Sequence, residues 1–168
     1  LVEDNRINVT STNPTYNGIV IRLCTNQLKV TKNQVYLNGG TLGISIQSCT
    51  STTNNRGLVA NNFIRVSGTN TGVAALFCLS SSYQNILFNS VLQSNTNTGF
   101  CASEIQSSNN INVFNNNFIN TGGGYAVCVT NTVTGIVLDY NNLFTTGTNL
   151  ASRLGTAYQT LPVWRTAT

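Results

Sequence analysis

The four carboxylates are the side chains best suited to acid–base chemistry, because the chain has no histidine. Glycoside hydrolysis generally uses two carboxyl groups about 5–10 Å apart. Glu3 and Asp139 occupy the same position of a repeated unit, defined below, but five units apart, which is roughly 24 Å at about 4.8 Å per unit. Asp4 adjoins Glu3 at the edge of the array, and Glu104 is predicted on another side of it. The sequence provides no acid–base pair, and we predict no catalytic residue.

The cysteines are a second possible source of chemistry. No Cys-x-x-Cys motif and no histidine accompany them, so a zinc site and a nucleophilic cysteine both lack their usual partners. Cys24, Cys49 and Cys78 each lie six residues after a glycine that opens a strand pattern. Stacking of the units would bring their Cα atoms to about 5 Å, which is within disulfide range. Two interpretations stay open: a disulfide (Cys24–Cys49 or Cys49–Cys78), or a column of free thiols in a small slot of the core.

Aromatic side chains could bind carbohydrate, because stacking on a sugar ring requires a flat apolar face. Phe88 and Tyr140 each precede a repeated asparagine, two units apart, which predicts a shallow row of rings. Arg22 is predicted at an outward strand position, where a role toward a polysaccharide is the alternative to a solvated surface arginine. Packing of the rings under the C-terminal segment is the other interpretation. The carbohydrate-binding candidates are Arg22, Phe88, Tyr140 and Trp164.

Composition narrows the function classes. Only 7% of the 168 residues are charged, and the formal net charge is +4. The basic residues are scattered rather than gathered into a stripe with aromatics, so nucleic-acid binding is not predicted. No run approaches the ~18 apolar residues of a membrane-spanning helix, so membrane insertion is not predicted. No cofactor is predicted; calcium held by asparagine and carbonyl oxygens at turns is the alternative, although calcium sites normally recruit several carboxylates.

One phrase organises the chain: an apolar residue, two variable residues, an asparagine, one residue and another apolar residue. It occurs six times, with the asparagines 28, 28, 28, 27 and 25 residues apart. A period in this range is typical of a solenoid, in which each unit buries its apolar face against the next. Asparagine amides at an inward turn can bond to the copies above and below and so stabilise stacked parallel strands. The predicted ladder is Asn5, Asn33, Asn61, Asn89, Asn116 and Asn141.

The register of this ladder has an alternative, because the column one residue later is also rich in asparagine and includes Asn62. A second landmark, a glycine followed by a short strand pattern, recurs at positions 18, 43, 72, 99 and 124. Together the landmarks predict an all-β fold, a parallel β-helix of about six coils over residues 1–146. Residues 147–168 break the period and form an irregular segment that packs on the helix face or leads to a further coil. Within it we predict a turn or hairpin near 154–158 and a short helix starting at Pro162.

The Gly-Ile-x-Ile strand and the φxxNNxφ turn resemble the right-handed parallel β-helix family with pectate-lyase-like repeats, over about residues 2–146. The tail, Tyr140-Asn-Asn-Leu-Phe followed by Tyr158 to Thr168, is similar to a segment of secreted β-helix proteins from polysaccharide-degrading bacteria, where it leads into a further coil. The resemblance implies a secreted or cell-surface bacterial protein. The calcium-binding acidic cluster and basic proton abstractor of pectate-lyase-like catalysis have no counterpart here.

Three functions are therefore expected as alternatives. The first is a non-catalytic structural or carbohydrate-binding segment of a larger protein. The second is a fragment of a polysaccharide lyase or glycoside hydrolase that acts on acidic or plant polysaccharide. The third is an adhesin or stalk-like module. The expected partners are polysaccharide and either flanking coils of a parent chain or further copies, which would pair with exposed sheet ends.

Overall fold

The repeated units fold as stacked coils. The computed structural model describes residues 1–11, 16–69, 72 and 74–166, which contain short strands and one short helix. The elements are, in chain order, β1 (Val2–Glu3), β2 (Arg6–Thr10), β3 (Asn17–Arg22), β4 (Lys29–Thr31), β5 (Gln34–Asn38), β6 (Leu42–Gln47), β7 (Gly57–Ala60), β8 (Phe63–Gly68), β9 (Ala74–Leu79), β10 (Ser82–Leu87), β11 (Ser90–Asn95), β12 (Cys101–Gln106), β13 (Asn109–Phe114), β14 (Asn117–Asn120), β15 (Tyr125–Thr130), β16 (Val137–Asp139), β17 (Asn142–Thr145), β18 (Ala151–Arg153), β19 (Thr156–Tyr158) and α1 (Leu161–Arg165).

Each coil contributes one strand to each of three sheets. Sheet A has the order β1-β4-β7-β10-β13-β16, and sheet B has the order β2-β5-β8-β11-β14-β17. Sheet C has the order β3-β6-β9-β12-β15-β18-β19. All strand pairs are parallel except β18 with β19. The predicted all-β parallel solenoid is confirmed, with about five turns, which is close to the six coils predicted.

Alternation along the strands fills the interior. In β5, Val35 and Leu37 are buried in the core, whereas Gln34 and Asn38 are exposed. A strand has a side-chain period of two, so one face of each sheet lines the common core and the other faces outward. The same pattern recurs in β8, where Ile64 is buried and the neighbouring Phe63 is 41% exposed.

The asparagine ladder stands at the corner between sheets A and B. Asn33 donates its backbone N–H and its side-chain amide to Oδ1 of Asn62, and Asn62 does the same to Asn89. The prediction of Asn61 is wrong: this residue has a positive φ of 56° and is exposed. Two adjacent asparagines made both registers possible, and burial of Ile64 in the core selects the second. The ladder is Asn5, Asn33, Asn62, Asn89, Asn116 and Asn141.

The glycine landmarks do not align through the whole stack. Ile44 pairs with Leu76 and Ile46 pairs with Cys78, so Gly43 lies level with Ala75 and not with Gly72. The shift arises because the connection from β8 to β9 is three residues longer than the connection from β5 to β6: Asn38 pairs with Ser67, and Leu42 pairs with Ala74. Cys78 is consequently in a strand of sheet C, and its predicted place in a column with Cys24 and Cys49 is wrong.

The C-terminal segment caps the end of the solenoid. The strands β18 and β19 form a hairpin that extends sheet C, and Pro162 stands in the first turn of α1, as the sequence predicted. Trp164 is 3% exposed and belongs to the main core cluster, with its ring 5.5 Å from that of Tyr158. Within the described residues, no helix has the length and apolar character required to cross a membrane.

Candidate functional site

A groove of about 340 Å³ runs along the outer face of sheet B across the first three coils. It is formed by β2, β5 and β8, which are hydrogen-bonded neighbours in that order. The register places Asn8, Tyr36 and Arg65 in one line across the strands. Outward-pointing side chains that are two residues apart therefore gather on one flat surface. The groove is lined by Arg6, Asn8, Tyr36, Leu37, Asn38, Arg65 and Ser67.

Two aromatic rings form the apolar part of this surface. The ring centroids of Tyr36 and Phe63 are 5.5 Å apart, and the ring planes are inclined by 34°. Tyr36 is half-buried and Phe63 is largely exposed, although both lie in strands whose alternate residues fill the core. Outward aromatics on adjacent strands stabilise a sheet through cross-strand packing. They also offer an apolar face at the surface, on which a ring of a ligand can stack.

Arg6 and Arg65 supply positive charge to the groove. They lie two strands apart and two residues out of line, which corresponds to a Cα separation of roughly 12 Å. Among the described residues neither guanidinium has an ion-pair partner, and no carboxylate lines the groove. Asn38 adds a polar group, and its side-chain oxygen accepts a hydrogen bond from the Ser67 hydroxyl at 3.4 Å. The groove therefore combines two planar cations, amide groups and the ring of Tyr36, with the ring of Phe63 beside it.

The four binding candidates predicted from sequence are not brought together. Arg22 is exposed on sheet C, where Nε donates to Oε1 of Gln47 at 2.8 Å. Phe88 and Tyr140 are 56% and 77% exposed at corners of the solenoid, with Asn115 between them in the column. Trp164 is buried in the cap and offers no free ring face. A carbohydrate-binding role for Phe88 and Tyr140 stays a prediction.

The carboxylates remain separated in space. Glu3 and Asp139 share one column of sheet A but lie on its opposite edge strands, β1 and β16. Glu3 forms an ion pair with Lys32 at 3.2 Å. Hydrogen bonds from Lys32 and Thr31 lower the pKa of the Glu3 carboxyl. Asp139 accepts the backbone N–H of Tyr140 at 2.8 Å.

Glu104 is the carboxyl with the most unusual environment. It projects from the outer face of β12 and is nevertheless buried, next to the apolar cluster of Leu42, Ala74, Phe77 and the Cys101–Cys128 disulfide. Burial raises the pKa of Glu104, and a hydrogen bond from the Thr130 hydroxyl at 2.6 Å opposes part of that rise. No second carboxyl accompanies it in the described structure. One carboxyl without a partner cannot perform the paired acid–base step of glycoside hydrolysis.

The cysteines divide into a disulfide and three thiols. Cys101 and Cys128 are bonded across adjacent coils, with their Cα atoms 6.1 Å apart. Sequence reasoning missed this pair, because the two residues stand at different offsets from their nearest glycines. Cys24, Cys49 and Cys78 have free thiols, and of these only Cys24 and Cys49 share a column. No group of three or more His, Cys, Asp or Glu side chains in the described ranges could hold a metal ion.

The groove itself was missed because its residues share no sequence signature. Tyr36 and Arg65 are register partners, three residues after Asn33 and Asn62, but the predicted ladder through Asn61 placed Arg65 one residue out of line. The predictions also followed columns of like residues. A comparison of the outward positions of β2, β5 and β8 from one coil to the next could have revealed the groove.

Comparison with protein-family models, curated proteins and solved structures finds no match to this chain.

Proposed function

We propose that this chain is a non-catalytic, carbohydrate-binding segment of a β-solenoid protein, and that its ligand is an acidic polysaccharide bound along the groove of sheet B. The observation that carries the proposal is the pair of unpaired arginines, Arg6 and Arg65, beside the Tyr36–Phe63 ring pair. An aromatic face stacks against the apolar face of a sugar, and a guanidinium donates two parallel hydrogen bonds to a carboxylate or sulfate.

The shape of the groove favours a linear polymer. It crosses three successive strands of one sheet and therefore runs along the solenoid axis. Arginines two coils apart can contact acidic groups of two different sugars, so the two contacts reinforce each other.

A secreted or cell-surface location accompanies this proposal. The Cys101–Cys128 disulfide supports it, because structural disulfides persist mainly in oxidising compartments. The pectate-lyase-like repeat and the bacterial origin that the sequence resemblance implies belong to the same hypothesis. An acidic polysaccharide of a plant or algal wall is the kind of ligand that such a protein would meet.

Depletion binding to insoluble polysaccharides tests the proposal. The protein is incubated with cross-linked polygalacturonate, with alginate beads and with a neutral glucan, and the unbound fraction is measured. We expect binding to the acidic polymers, reduced about tenfold or more by Arg65→Ala and by Tyr36→Ala. Matched controls are Arg165→Ala and Phe144→Ala, which change an exposed arginine and an exposed ring outside the groove. Equal loss in the controls, or no binding to any polymer, would overturn the proposal.

A fragment of a polysaccharide-degrading enzyme is the second candidate, favoured by Glu104. A buried carboxyl with a raised pKa has the property expected of a general acid. The missing second group would have to come from residues outside those described. Release of reducing ends or of unsaturated sugars from acidic polysaccharide, abolished by Glu104→Gln, would favour this candidate over a purely binding segment.

A further inference from the structure

Two thiols occupy a column that serine occupies elsewhere in the solenoid. At the corner after sheet C, each coil has a residue with positive φ, among them Leu23 (58°) and Ser48 (53°). The residues that follow these corners are Cys24, Cys49, Ser81 and Ser108 in successive coils. The side chains of this column point inward at the corner, where they satisfy backbone groups of two coils.

Ser81 and Ser108 show the structural role of this column. Ser81 accepts the backbone N–H of Cys49 at 3.1 Å and donates to the carbonyl of Leu79 at 2.9 Å. Ser108 accepts the N–H of Ser81 at 3.1 Å in the same way. Cys49 occupies the same position: its thiol contacts the carbonyl of Gln47 at 3.4 Å and the carbonyl of Ile21, in the preceding coil, at 3.8 Å.

The two thiols are therefore vertical neighbours in the first two coils. The backbone N–H of Thr50 donates to the carbonyl of Cys24 at 2.7 Å, which fixes the stacking of the two corners. Stacked residues lie about 4.8 Å apart, within the Cα range that a disulfide requires. The Cys101–Cys128 bond already joins adjacent coils of the same solenoid. Cys24 is half-buried and reachable, Cys49 is buried behind it, and Cys78 is buried in a different column.

We propose that Cys24 and Cys49 are an oxidation site, and that a low-molecular-weight disulfide of the glutathione class closes them into a second cross-link between coils. The thiolate of Cys24 attacks one sulfur of the small disulfide, so that a Cys24 mixed disulfide forms and one small thiolate leaves. The thiol of Cys49 then loses its proton and attacks Sγ of Cys24, which releases the second small thiolate. In total two protein thiols are oxidised, and one small disulfide is reduced to two small thiols.

The cross-link would stabilise the first coil. The strands β1, β2 and β3 are edge strands, so the first coil is held from one side only. A bond from Cys24 to Cys49 ties this coil to the second one and restricts its fraying. The oxidised protein should therefore be more stable than the reduced protein, with the difference concentrated in the first coil.

Thiol counting and peptide mapping test the proposal on the intact chain. Protein purified with reductant and then freed of it should show three reactive thiols in denaturant, since Cys101 and Cys128 are bonded. After incubation with a mixture of oxidised and reduced glutathione we expect one thiol, Cys78, and a tryptic or chymotryptic peptide pair linked through Cys24 and Cys49. The melting temperature should rise by several degrees in parallel.

Variants separate this pair from the other cysteines. Cys78→Ser should fall from two thiols to none on oxidation, whereas Cys24→Ser should keep two thiols and show no rise in melting temperature. Serine already stands at the equivalent corner as Ser81, so Cys24→Ser suits the position. If either variant fails to fold, mapping of the wild-type peptides still decides. A persistent count of three thiols, or a glutathione adduct on Cys24 that never resolves, would overturn the proposal.

Discussion

At the scale of single residues, the asparagine ladder depends on one amide per coil. Oδ1 of Asn62 accepts two hydrogen bonds from Asn33, and the Asn62 amide donates to Asn89 and to the carbonyl of Val30. Asn62→Ala leaves these buried groups without partners, at about 1–3 kcal/mol for each unsatisfied group. We expect the free energy of unfolding to fall by about 2–4 kcal/mol, measured by urea denaturation.

The neighbouring asparagine provides the matched control. Asn61 is exposed and has a positive φ, a conformation that glycine adopts without strain. Asn61→Gly should leave the free energy of unfolding within about 0.5 kcal/mol of the wild type. If Asn61→Gly were the more damaging of the two changes, the register assigned to the ladder would be wrong.

Glu104 predicts a dependence of stability on pH. Its pKa is raised in the folded protein by burial, so the folded state holds the proton more tightly than the unfolded state. The resulting stability is fully present below the unfolded pKa and is lost as pH rises through the folded pKa. Glu104→Gln keeps an oxygen that accepts from Thr130 and removes the charge.

We therefore expect Glu104→Gln to melt several degrees above the wild type at neutral pH, and the two proteins to converge near about pH 4, where the wild-type carboxyl is protonated in both states. Differential scanning calorimetry across this pH range provides the measurement. Glu3→Gln should behave oppositely and weaken the protein at neutral pH, because the Glu3 carboxyl has a lowered pKa. A Glu104→Gln protein less stable than the wild type at neutral pH would contradict the assignment.

At the scale of elements, Arg56 joins three strands of sheet A. Its Nε donates to Oδ1 of Asn85 at 2.7 Å, and Nη2 donates to the carbonyls of Gln84 and Asn110 in the next two coils. Arg56→Lys keeps the charge but cannot reproduce this fork, so we expect a loss of about 2 kcal/mol in denaturant unfolding. Arg65→Lys, at an exposed arginine with no partner among the described residues, should cost nothing measurable. Similar costs for both variants would indicate that the fork contributes little.

The sequence predicted the existence of the strands better than it predicted the alignment of strands between adjacent coils. A repeated apolar–asparagine phrase requires stacked coils, since no single unit can bury its own face. Alignment failed wherever like residues competed: Asn61 against Asn62, and Gly72 against Ala75 as the neighbour of Gly43. Each error is a shift of one to three residues, which exchanges inward for outward side chains. Only packing against the adjacent coil resolves such shifts, and that information is not local in sequence.

The candidate groove was less predictable than the fold for the same reason. A core column repeats one residue type from coil to coil, because each member meets the same surroundings. A binding surface has no such requirement, so Asn8, Tyr36 and Arg65 are three different residue types at one offset of the repeat. The sequence pointed to Arg22, Phe88, Tyr140 and Trp164 by exposure or by column, and the structure separates them.

At the scale of the whole molecule, the stability of the solenoid is close to a sum of the contributions of single coils and of the contacts between adjacent coils. Each coil contacts the coils on either side, so interior coils are supported twice and terminal coils once. The two ends differ: the first coil presents β1, β2 and β3 as edges, whereas the last is covered by the hairpin and α1. Partly exposed apolar residues such as Val2 and Ile7 mark the first coil. Pairing of these edge strands with flanking coils of a parent chain or with further copies stays a prediction.

The cap can be followed by itself, because Trp164 is the single tryptophan and lies in α1. Its ring packs against Tyr158 and the core, so its fluorescence reports on release of the cap, whereas far-ultraviolet circular dichroism reports on all the strands. Because α1 is held from one side only, we expect the fluorescence midpoint in urea to precede the circular-dichroism midpoint. Trp164→Ala should accelerate amide exchange in β16 and β17 and leave β7 and β8 unchanged. Coincident midpoints, together with uniform acceleration along the chain, would instead indicate one cooperative unit in which the cap and the coils unfold together.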